Sequence, residues 1–364
     1  MARQRVVAAM SGGVDSSVAA ALLKEQGYDV IGITMQIWPK SIEDPLRERP
    51  GGCCSLSAVD DARAVAQKLD IPYYVLNMQE IFEREVVEYF CREYANGRTP
   101  NPCIVCNTEV KFNSLLKKAL ALGANWVATG HYARIKYNDI RQRYVLQEAV
   151  DKLKDQSYAL YGLSQYQLAH TLFPLGELTK EETRKIAAKL GLAVAEKQDS
   201  QEICFIPNDD YRGFLKKRIP SAIKRGPFLN RQGQVLGTHH GLPFYTVGQR
   251  RHLGIPGPQR VYVVGIDPKR NAIIVGEEKE LLRHQIRVEQ VNWVSITMPD
   301  EPVDAIVRVR YRGEPRRARL IPVDSSTVIV EFLQPVRAPA PGQAAVFYRD
   351  EEVLGGGIIS RDQL

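Results

Sequence analysis

The sequence predicts an α/β protein with three parts: an N-terminal doubly wound parallel sheet, a small central domain and a C-terminal β-barrel. Three observations lead there. Strand-like and helix-like patterns alternate through roughly the first third of the chain, as they do when a parallel sheet is covered by helices on both faces. A serine- and glycine-rich turn, Ser11-Gly12-Gly13-Val14-Asp15-Ser16-Ser17, stands at the first strand–helix junction. Beyond about Pro207, helical spacing gives way to alternation of period two, with more Gly, Pro and β-branched residues.

The elements follow in order. The apolar run Val6-Val7-Ala8-Ala9-Met10 reads as the first strand, and Val18 to Lys24 as a helix closed by Gly27. Asp29 to Thr34 is a second strand, Ala58 to Leu69 an amphipathic helix, and Tyr73 to Leu76 a third strand. Ile81 to Tyr94 and Lys111 to Leu122 are helical, and Trp126 to Thr129 is another strand. Helical patterns return at Gln165 to Leu172 and Lys180 to Leu190. The β-rich part contains Arg260 to Ile266, Ala272 to Val275, Ala305 to Tyr311, Ala318 to Ile321, Thr327 to Phe332 and Ala344 to Tyr348, with a division near Glu277 to Leu282. A chain of 364 residues accommodates two or three domains. The expected boundaries are 1–207, 208–277 and 278–364.

Composition is ordinary for a water-soluble protein: 44% hydrophobic, 25% charged, with no apolar stretch long enough to cross a membrane. The N-terminus runs straight into a strand without a signal-peptide pattern, so a cytoplasmic location is expected. A net charge of +7 suits a polyanion such as RNA without requiring one. Six cysteines in a chain this long do not make a disulfide scaffold. In a reducing compartment they are core residues, metal ligands or reactive thiols.

The turn after the first strand carries the nucleotide chemistry. Adjacent glycines bring backbone N–H groups close to an anion, and the following helix adds the positive end of its dipole. The serines offer hydroxyl donors. Asp15 is the odd member, because a carboxylate beside phosphates calls for a cation, usually Mg²⁺. The turn is not a Walker loop, since no Gly-Lys-Ser/Thr ends it. Ser11, Met35 and Gly130 each fall just after a strand, where an open α/β sheet binds its ligand. The plain alternative is a Ser/Gly turn with no ligand.

Two further stretches hold cysteines. In Arg98-Thr99-Pro100-Asn101-Pro102-Cys103-Ile104-Val105-Cys106-Asn107, the prolines and asparagines predict a loop. Cys106 then stands shortly before a helix, where the dipole favours thiolate. The Cys-x-x-Cys spacing leaves a redox pair, metal ligands and coincidence open. In Lys197-Gln198-Asp199-Ser200-Gln201-Glu202-Ile203-Cys204-Phe205-Ile206, the bland reading of Cys204 is a buried thiol between Ile203 and Phe205. Cys91 falls in a helical pattern and reads as core. Cys53-Cys54 falls in a loop, with no role assigned.

The first turn resembles the pyrophosphate loop (PP-loop) of ATP pyrophosphatases, which split ATP between the α and β phosphates. Taken with SGGVDSSVAA, GITMQIW, GRTPNPCIVCNTEVKF, ATGHYAR, KDQSYAL, LFPLGELTK, DSQEICFIP, TVGQRRHLGI and RVRYRGE, in that order, the whole chain resembles the bacterial tRNA-specific 2-thiouridylase family. The resemblance implies ATP-dependent thiolation of the wobble uridine of tRNAs of the Lys, Glu and Gln type, with a sulfur-donor or sulfur-carrier protein as partner. By position it gives ATP binding to Ala9, Met10, Ser11, Gly12, Gly13, Val14, Asp15 and Ser16, with Met35 and Gly130 bordering the nucleotide. It makes Cys106 the nucleophile and Cys204 the persulfide carrier. It places His131, Lys154, Asp155, Gln156, Arg310, Tyr311 and Gln343 against tRNA, and Asn101, Pro102 and Cys103 at the target base.

One position departs from the family. Its loop usually reads Asn-Pro-Asp, and here the third residue is Cys103. The change removes a carboxylate and creates Cys103, Cys106 and Cys204, the three-cysteine set of related thiolases that carry a [4Fe–4S] cluster. Cluster-dependent thiolation is therefore an alternative expectation. Two rivals keep less of the chemistry: a PP-loop amidating or ligating synthetase, and a non-catalytic RNA-binding protein. The run Arg308, Arg310, Arg312, Arg316, Arg317 and Arg319, interleaved with Tyr311, reads either as a phosphate-binding face or as a solvated strand face. Gln249-Arg250-Arg251-His252 is a second basic cluster.

Overall fold

The computed structural model describes residues 4–37, 56–197, 203–256 and 260–361. Strand β1 (Arg5–Ala9) is buried on both faces through Val6 and Val7, which is why it reads as an unbroken apolar run. Helix α1 (Val14–Glu25) packs on it, with Ser17, Ala19 and Ala20 among its buried small residues. Gly27, at φ +87°, closes α1, and its N–H donates to the Lys24 carbonyl. Strand β2 (Asp29–Gln36), helix α2 (Leu56–Lys68) and strand β3 (Tyr73–Asn77) complete the first half.

The next helical stretch is not uniform. Helix α3 (Gln79–Phe82) passes through a π-helix (Glu83–Val87) into helix α4 (Glu88–Ala95), where the sequence suggests one regular helix. The Cys-x-x-Cys stretch corrects a second expectation. Helix α5 (Pro102–Val105) runs into a π-helix over Cys106–Leu115 and then helix α6 (Leu116–Ala121). The loop thus ends at Asn101, and Cys103 and Cys106 are already helical. Proline misleads here: at the first helical position its missing N–H costs nothing and its φ suits the helix, so Pro102 starts the element.

Strand β4 (Trp126–Ala128) pairs parallel with β1. A hairpin follows, β5 (Ala133–Asn138) with β6 (Arg143–Glu148), which alternation does not reveal because β5 carries charged residues and is half exposed. Helix α7 (Gln165–Ala169) is closed at its start by a Ser164–Gln167 capping box. It is shorter than the sequence implies, because Thr171–Leu172 leaves the helix as β7 and pairs with β4. Helix α8 (Lys180–Lys189), capped by Thr179 and Glu182, packs on α1. The sheet order is β3-β2-β1-β4-β7, all parallel. The order reverses between β1 and β4, the doubly wound topology expected from the sequence.

The remainder starts with helix α9 (Tyr211–Arg218), not foreseen in a segment read as β-rich. Strands β8 (Gly226–Leu229), β9 (Val235–His239), β10 (Tyr262–Asp267) and β11 (Ala272–Gly276) form a sheet of order β10-β11-β8-β9. Strands β12 (Leu282–Trp293), β13 (Val303–Arg308), β14 (Arg316–Asp324), β15 (Thr327–Arg337), β16 (Ala344–Arg349) and β17 (Glu352–Ile359) follow. They run β12-β15-β14-β13-β16-β17, and β17 pairs back onto β12, so the barrel is closed. Ile286, Val288, Leu320, Val330, Phe347 and Leu354 fill it.

Compactness divides the chain into two units. The first holds the residues up to Val86, Cys103–Asp209 and Glu351–Val353; the second holds Val87–Pro102, Asp210–Asp350 and the residues from Leu354 onward. Glu351 is fixed in the first by Lys152 at 2.8 Å and Arg134 at 2.5 Å, whose hydrogen bonds hold its carboxyl down to about 2. Gly97 and Gly342 belong to the second.

A buried histidine makes the second unit sensitive to pH. His239 accepts a hydrogen bond from the Gly241 N–H at Nδ1, 3.1 Å, and donates from Nε2 to the Asn271 carbonyl at 3.0 Å. Burial lowers its pKa from 6.5, with the charge of His240 acting in the same sense, and protonation would cost the Gly241 bond an acceptor. The folded state therefore binds fewer protons than the unfolded state. Its stabilisation is complete above about pH 6.5 and is lost as pH falls through the lowered folded value. The unfolding midpoint should drop from about pH 7.5 to 5, and His239→Phe should be less stable at neutral pH but lose part of that drop, as followed by circular dichroism.

Candidate active site

The site is built at the carboxyl end of β1. Gly12 has φ +67°, and a Cβ there would lie 2.1 Å from the Ala58 carbonyl oxygen, so only glycine fits. Gly13 is the N-cap of α1 in extended conformation, with no side chain to cap the first turn. The N–H groups that open α1 are thereby left for a ligand, with the positive end of the helix dipole behind them. Hydroxyls lock the turn from within. Ser16 Oγ accepts from the Ser11 N–H and donates to the Gly13 carbonyl, both 3.1 Å, and Ser17 Oγ donates to the same carbonyl at 2.9 Å. Thr34 Oγ1 donates to the Met10 carbonyl at 2.6 Å and is itself held by the Tyr73 hydroxyl at 2.7 Å.

Gly130 forms the opposite wall. A Cβ on it would sit 2.7 Å from the Asp15 carbonyl carbon and the Ser16 nitrogen. The loop after β4 thus touches the first turn of α1, which is the switch-point crevice. Met35, half-buried, is the next-to-last residue of β2, so the strand runs past Thr34, where the sequence suggests it ends.

Two lysines reach this turn that the motif reading did not single out. Lys180 Nζ lies 2.7 and 2.8 Å from the two Asp15 carboxylate oxygens, and the Tyr132 hydroxyl donates to Asp15 Oδ1 at 2.9 Å. Lys180 is the first residue of α8, where a cation opposes the helix dipole. That local conflict is the signal the sequence offered. Lys197 Nζ donates to the Gly12 carbonyl at 2.9 Å and to Asp61 Oδ2 at 2.6 Å. Asp15 is therefore already paired with a cation.

The cysteines differ in exposure. Cys103 is exposed, Cys106 and Cys204 are half-buried, and Cys91 is buried as its helical pattern implied. Asn107 anchors the π-helix beside Cys106, donating to the Ala159 carbonyl at 3.0 Å and accepting from Lys111 at 2.9 Å. Phe205, next to Cys204, packs edge-to-face on Phe82 with centroids 5.6 Å apart. Cys106 and Cys204 belong to the first unit. Among the described residues no three His, Cys, Asp or Glu side chains are gathered so as to hold a metal. Cys53 and Cys54 lie outside the described residues.

The residues linked to RNA by resemblance fall in both units. His131 is desolvated among Phe112 and Phe173 and hydrogen-bonded through Nδ1 to Thr129 at 2.7 Å. Burial and the Lys111 charge hold its pKa well below 6.5, so it is neutral at pH 7. Asp155 is buried; it accepts from the Ala149 and Ser157 N–H groups and from Ser157 Oγ, and burial raises its pKa. Its side chain shapes the loop, leaving half-buried Lys154 and Gln156 nearer the surface. Gln156 Oε1 accepts from the Tyr132 N–H at 3.0 Å.

In the second unit, Gln343 Nε2 donates to the Thr99 carbonyl at 3.2 Å, and the Thr99 N–H donates to Pro341 at 2.8 Å. Gln343 thus holds the loop that carries Asn101 and Pro102. Arg310 and Tyr311 are exposed at the β13–β14 turn, closed by the Gly313 N–H on the Arg310 carbonyl. The arginine run is partly neutralised: Arg319 stands between Asp304 and Glu331 on its neighbouring strands, and Arg316 pairs with Glu314 at 2.7 Å.

A glycine turn with open backbone N–H groups at the switch point of a parallel sheet, followed by two β-rich modules, is the arrangement of a nucleotide-using enzyme of the PP-loop class. Family models cover nearly all of the chain: a tRNA methyl transferase HUP domain over 4–208, a PRC-barrel domain of the same family over 212–277 and an aminomethyltransferase β-barrel domain over 283–359. The chain is 55% identical to the tRNA-specific 2-thiouridylase of Heliobacterium modesticaldum, with 99% of this chain and 93% of the relative aligned. It is 52% identical to that of Pelotomaculum thermopropionicum (99% and 98%) and 51% to that of Acetivibrio thermocellus (99% and 100%). The chain belongs to the tRNA-specific 2-thiouridylase family.

The Lys180–Asp15 pair is testable. Lys180→Met strands a half-buried carboxylate, so Lys180→Met and Asp15→Asn together should cost less than their sum, with a coupling of about 1–3 kcal/mol in chemical denaturation. Gly130→Ala should destabilise by about 1–3 kcal/mol and weaken ATP binding, because the added methyl meets backbone rather than a movable side chain.

Proposed function

We propose that this enzyme adenylates the C2 oxygen of the wobble uridine of tRNA and replaces that oxygen with sulfur carried as a persulfide on Cys204. The observation that carries the reading is one compact unit holding both an anion-binding turn at a sheet switch point and the two cysteines, Cys106 and Cys204. The C2 carbonyl of uridine has no leaving group. Attack of its oxygen on the α-phosphorus of ATP supplies one and expels pyrophosphate. The first-turn N–H groups of α1, with Lys180 and Lys197, stabilise the charge on the phosphates. Magnesium arriving with the triphosphate would meet Asp15 and Asp61, each already paired with a lysine, so the phosphates themselves supply most of its ligands.

The terminal sulfur of the Cys204 persulfide then bonds to C2, and AMP leaves. Cys106 attacks the Cys204 sulfur, the sulfur–sulfur bond to the base breaks, and 2-thiouridine departs. The sulfane sulfur is reduced while the two cysteines become a disulfide, which an external dithiol must reduce before the next turnover. In a second route to the same products, Cys106 attacks the persulfide first and releases hydrosulfide. His131, neutral and desolvated, offers the RNA a hydrogen-bonding edge without adding charge. The wobble base is single-stranded and enters a pocket without melting a duplex. The tRNA set of the Lys, Glu and Gln type and a dedicated sulfur carrier belong to this proposal.

Cys106→Ser and Cys204→Ser should each abolish 2-thiouridine formation, measured by nucleoside chromatography, while ATP still binds. Cys103→Ser should retain activity, and Cys103→Asp should at least match it. Full thiolation by either of the first two variants sinks the cycle. ATP–pyrophosphate exchange that ignores tRNA would point instead to a ligating synthetase.

A further inference from the structure

Asp15 and Lys180 face each other at the nucleotide turn, and each is held from outside by a group that the chemistry above leaves without a role. The Tyr132 hydroxyl donates to Asp15 Oδ1 at 2.9 Å and lies 3.0 Å from Thr183 Oγ1, one turn along α8 from Lys180. It therefore ties α1 to α8. The tyrosine is buried, and Lys180 Nζ lies 6.0 Å from the centre of its ring. Gln156 fixes both sides of its backbone: the Tyr132 N–H donates to Gln156 Oε1 at 3.0 Å, and the Tyr132 carbonyl accepts from the Gln156 N–H at 2.9 Å. Lys180 is held at its base by Asp151, whose Oδ2 accepts from the Lys180 N–H at 2.9 Å. The other oxygen, Oδ1, accepts from the Leu153 and Lys154 N–H groups at 3.0 and 3.2 Å, so the carboxylate is aimed by its own turn. An anion at the first N–H of α8 also offsets the dipole that a lysine there opposes. All of these residues belong to the first unit.

Packing alone does not call for this hydroxyl, since a phenylalanine ring would fill the same space. Its place on the carboxylate of the turn is what stands out. A lysine side chain is long and rich in rotamers, and it stabilises a transition state only where that freedom has already been removed. Asp15 holds the tip of Lys180, Asp151 holds its base, and Tyr132 holds Asp15. We propose that Tyr132 and Asp151 are positioning residues for adenylation, which keep Asp15 and Lys180 where charge develops on the transferring phosphoryl group. The proposal rests on the ATP chemistry proposed above. Both residues act through the Asp15–Lys180 pair and not on the phosphates themselves.

The test is tRNA-dependent release of pyrophosphate in a single turnover, with ATP affinity measured alongside, for the wild type, Tyr132→Phe, Asp151→Ala, Asp151→Asn and Lys180→Met. Tyr132→Phe keeps the ring and loses only the hydroxyl. Its rate should fall about 10–100-fold, the cost of a catalytic group slightly misplaced. Its ATP affinity should change far less, because the lost order matters most in the transition state. Asp151→Ala should lose a comparable factor, and Asp151→Asn, which keeps an oxygen for the Lys180 N–H, should recover most of it. Tyr132→Phe added to Lys180→Met should cost nothing further, since residues that act as one unit are not additive. A purely structural role predicts the same loss in both backgrounds and a matching fall in the unfolding midpoint. Unchanged pyrophosphate release by Tyr132→Phe overturns the proposal, and so does full additivity with Lys180→Met. If the wild type releases pyrophosphate with tRNA but forms no 2-thiouridine, the sulfur chemistry falls while the same rates still decide the positioning role.

Discussion

The start of α1 is the constraint on which the site depends. A helix whose cap is glycine leaves its first N–H groups without side-chain partners, and such groups are costly unless water or an anion meets them. The surroundings are arranged to keep that turn in place. Ser16 and Ser17 hold it from inside, Thr34 and Tyr73 from the β2 side, and Gly130 lets the next strand's loop come into backbone contact. Lys180 and Lys197 reach it from the first residue of α8 and from beyond its end. The doubly wound sheet matters to function because reversal of strand order between β1 and β4 opens the crevice in which all of these meet.

Much of this was legible in the residues. The turn, the parallel sheet and the barrel follow from glycine chemistry, apolar runs and alternation of period two. Several features were not, and three show why. Lys180 and Lys197 reach the turn across more than a hundred and sixty positions of sequence, a pairing that no local pattern encodes. Pro102 reads as a breaker by composition and acts as a helix starter by position. Strand β5 of the β5–β6 hairpin carries charges and is half exposed, so burial imposes no clear alternation on it. Each failure has one root: local preference was overruled by a tertiary partner or by position within an element.

Cys106 lies where regular geometry ends. It is the first residue of a ten-residue π-helix. A π-turn holds more residues than an α-turn, so side chains downstream are swung around the axis relative to an ordinary helix. Asn107 and Lys111, four apart, hold each other across that widened turn, and Asn107 ties it to Ala159. The thiol therefore projects from a locally unusual but firmly anchored backbone.

The closure of the barrel bears on how the chain is made. Strand β17 completes the ring against β12, and Glu351–Val353, at its edge, count among the residues of the first unit. During synthesis neither unit is complete until this stretch has left the ribosome. Unpaired edges of β12 and β16 stay open in the interval, and such edges attract strands from other chains. Assembly is committed late and through non-local contacts, which slow folding. A ribosome stalled near residue 350 would hold a nascent chain with an almost finished catalytic unit and an open sheet, the species most in need of a chaperone.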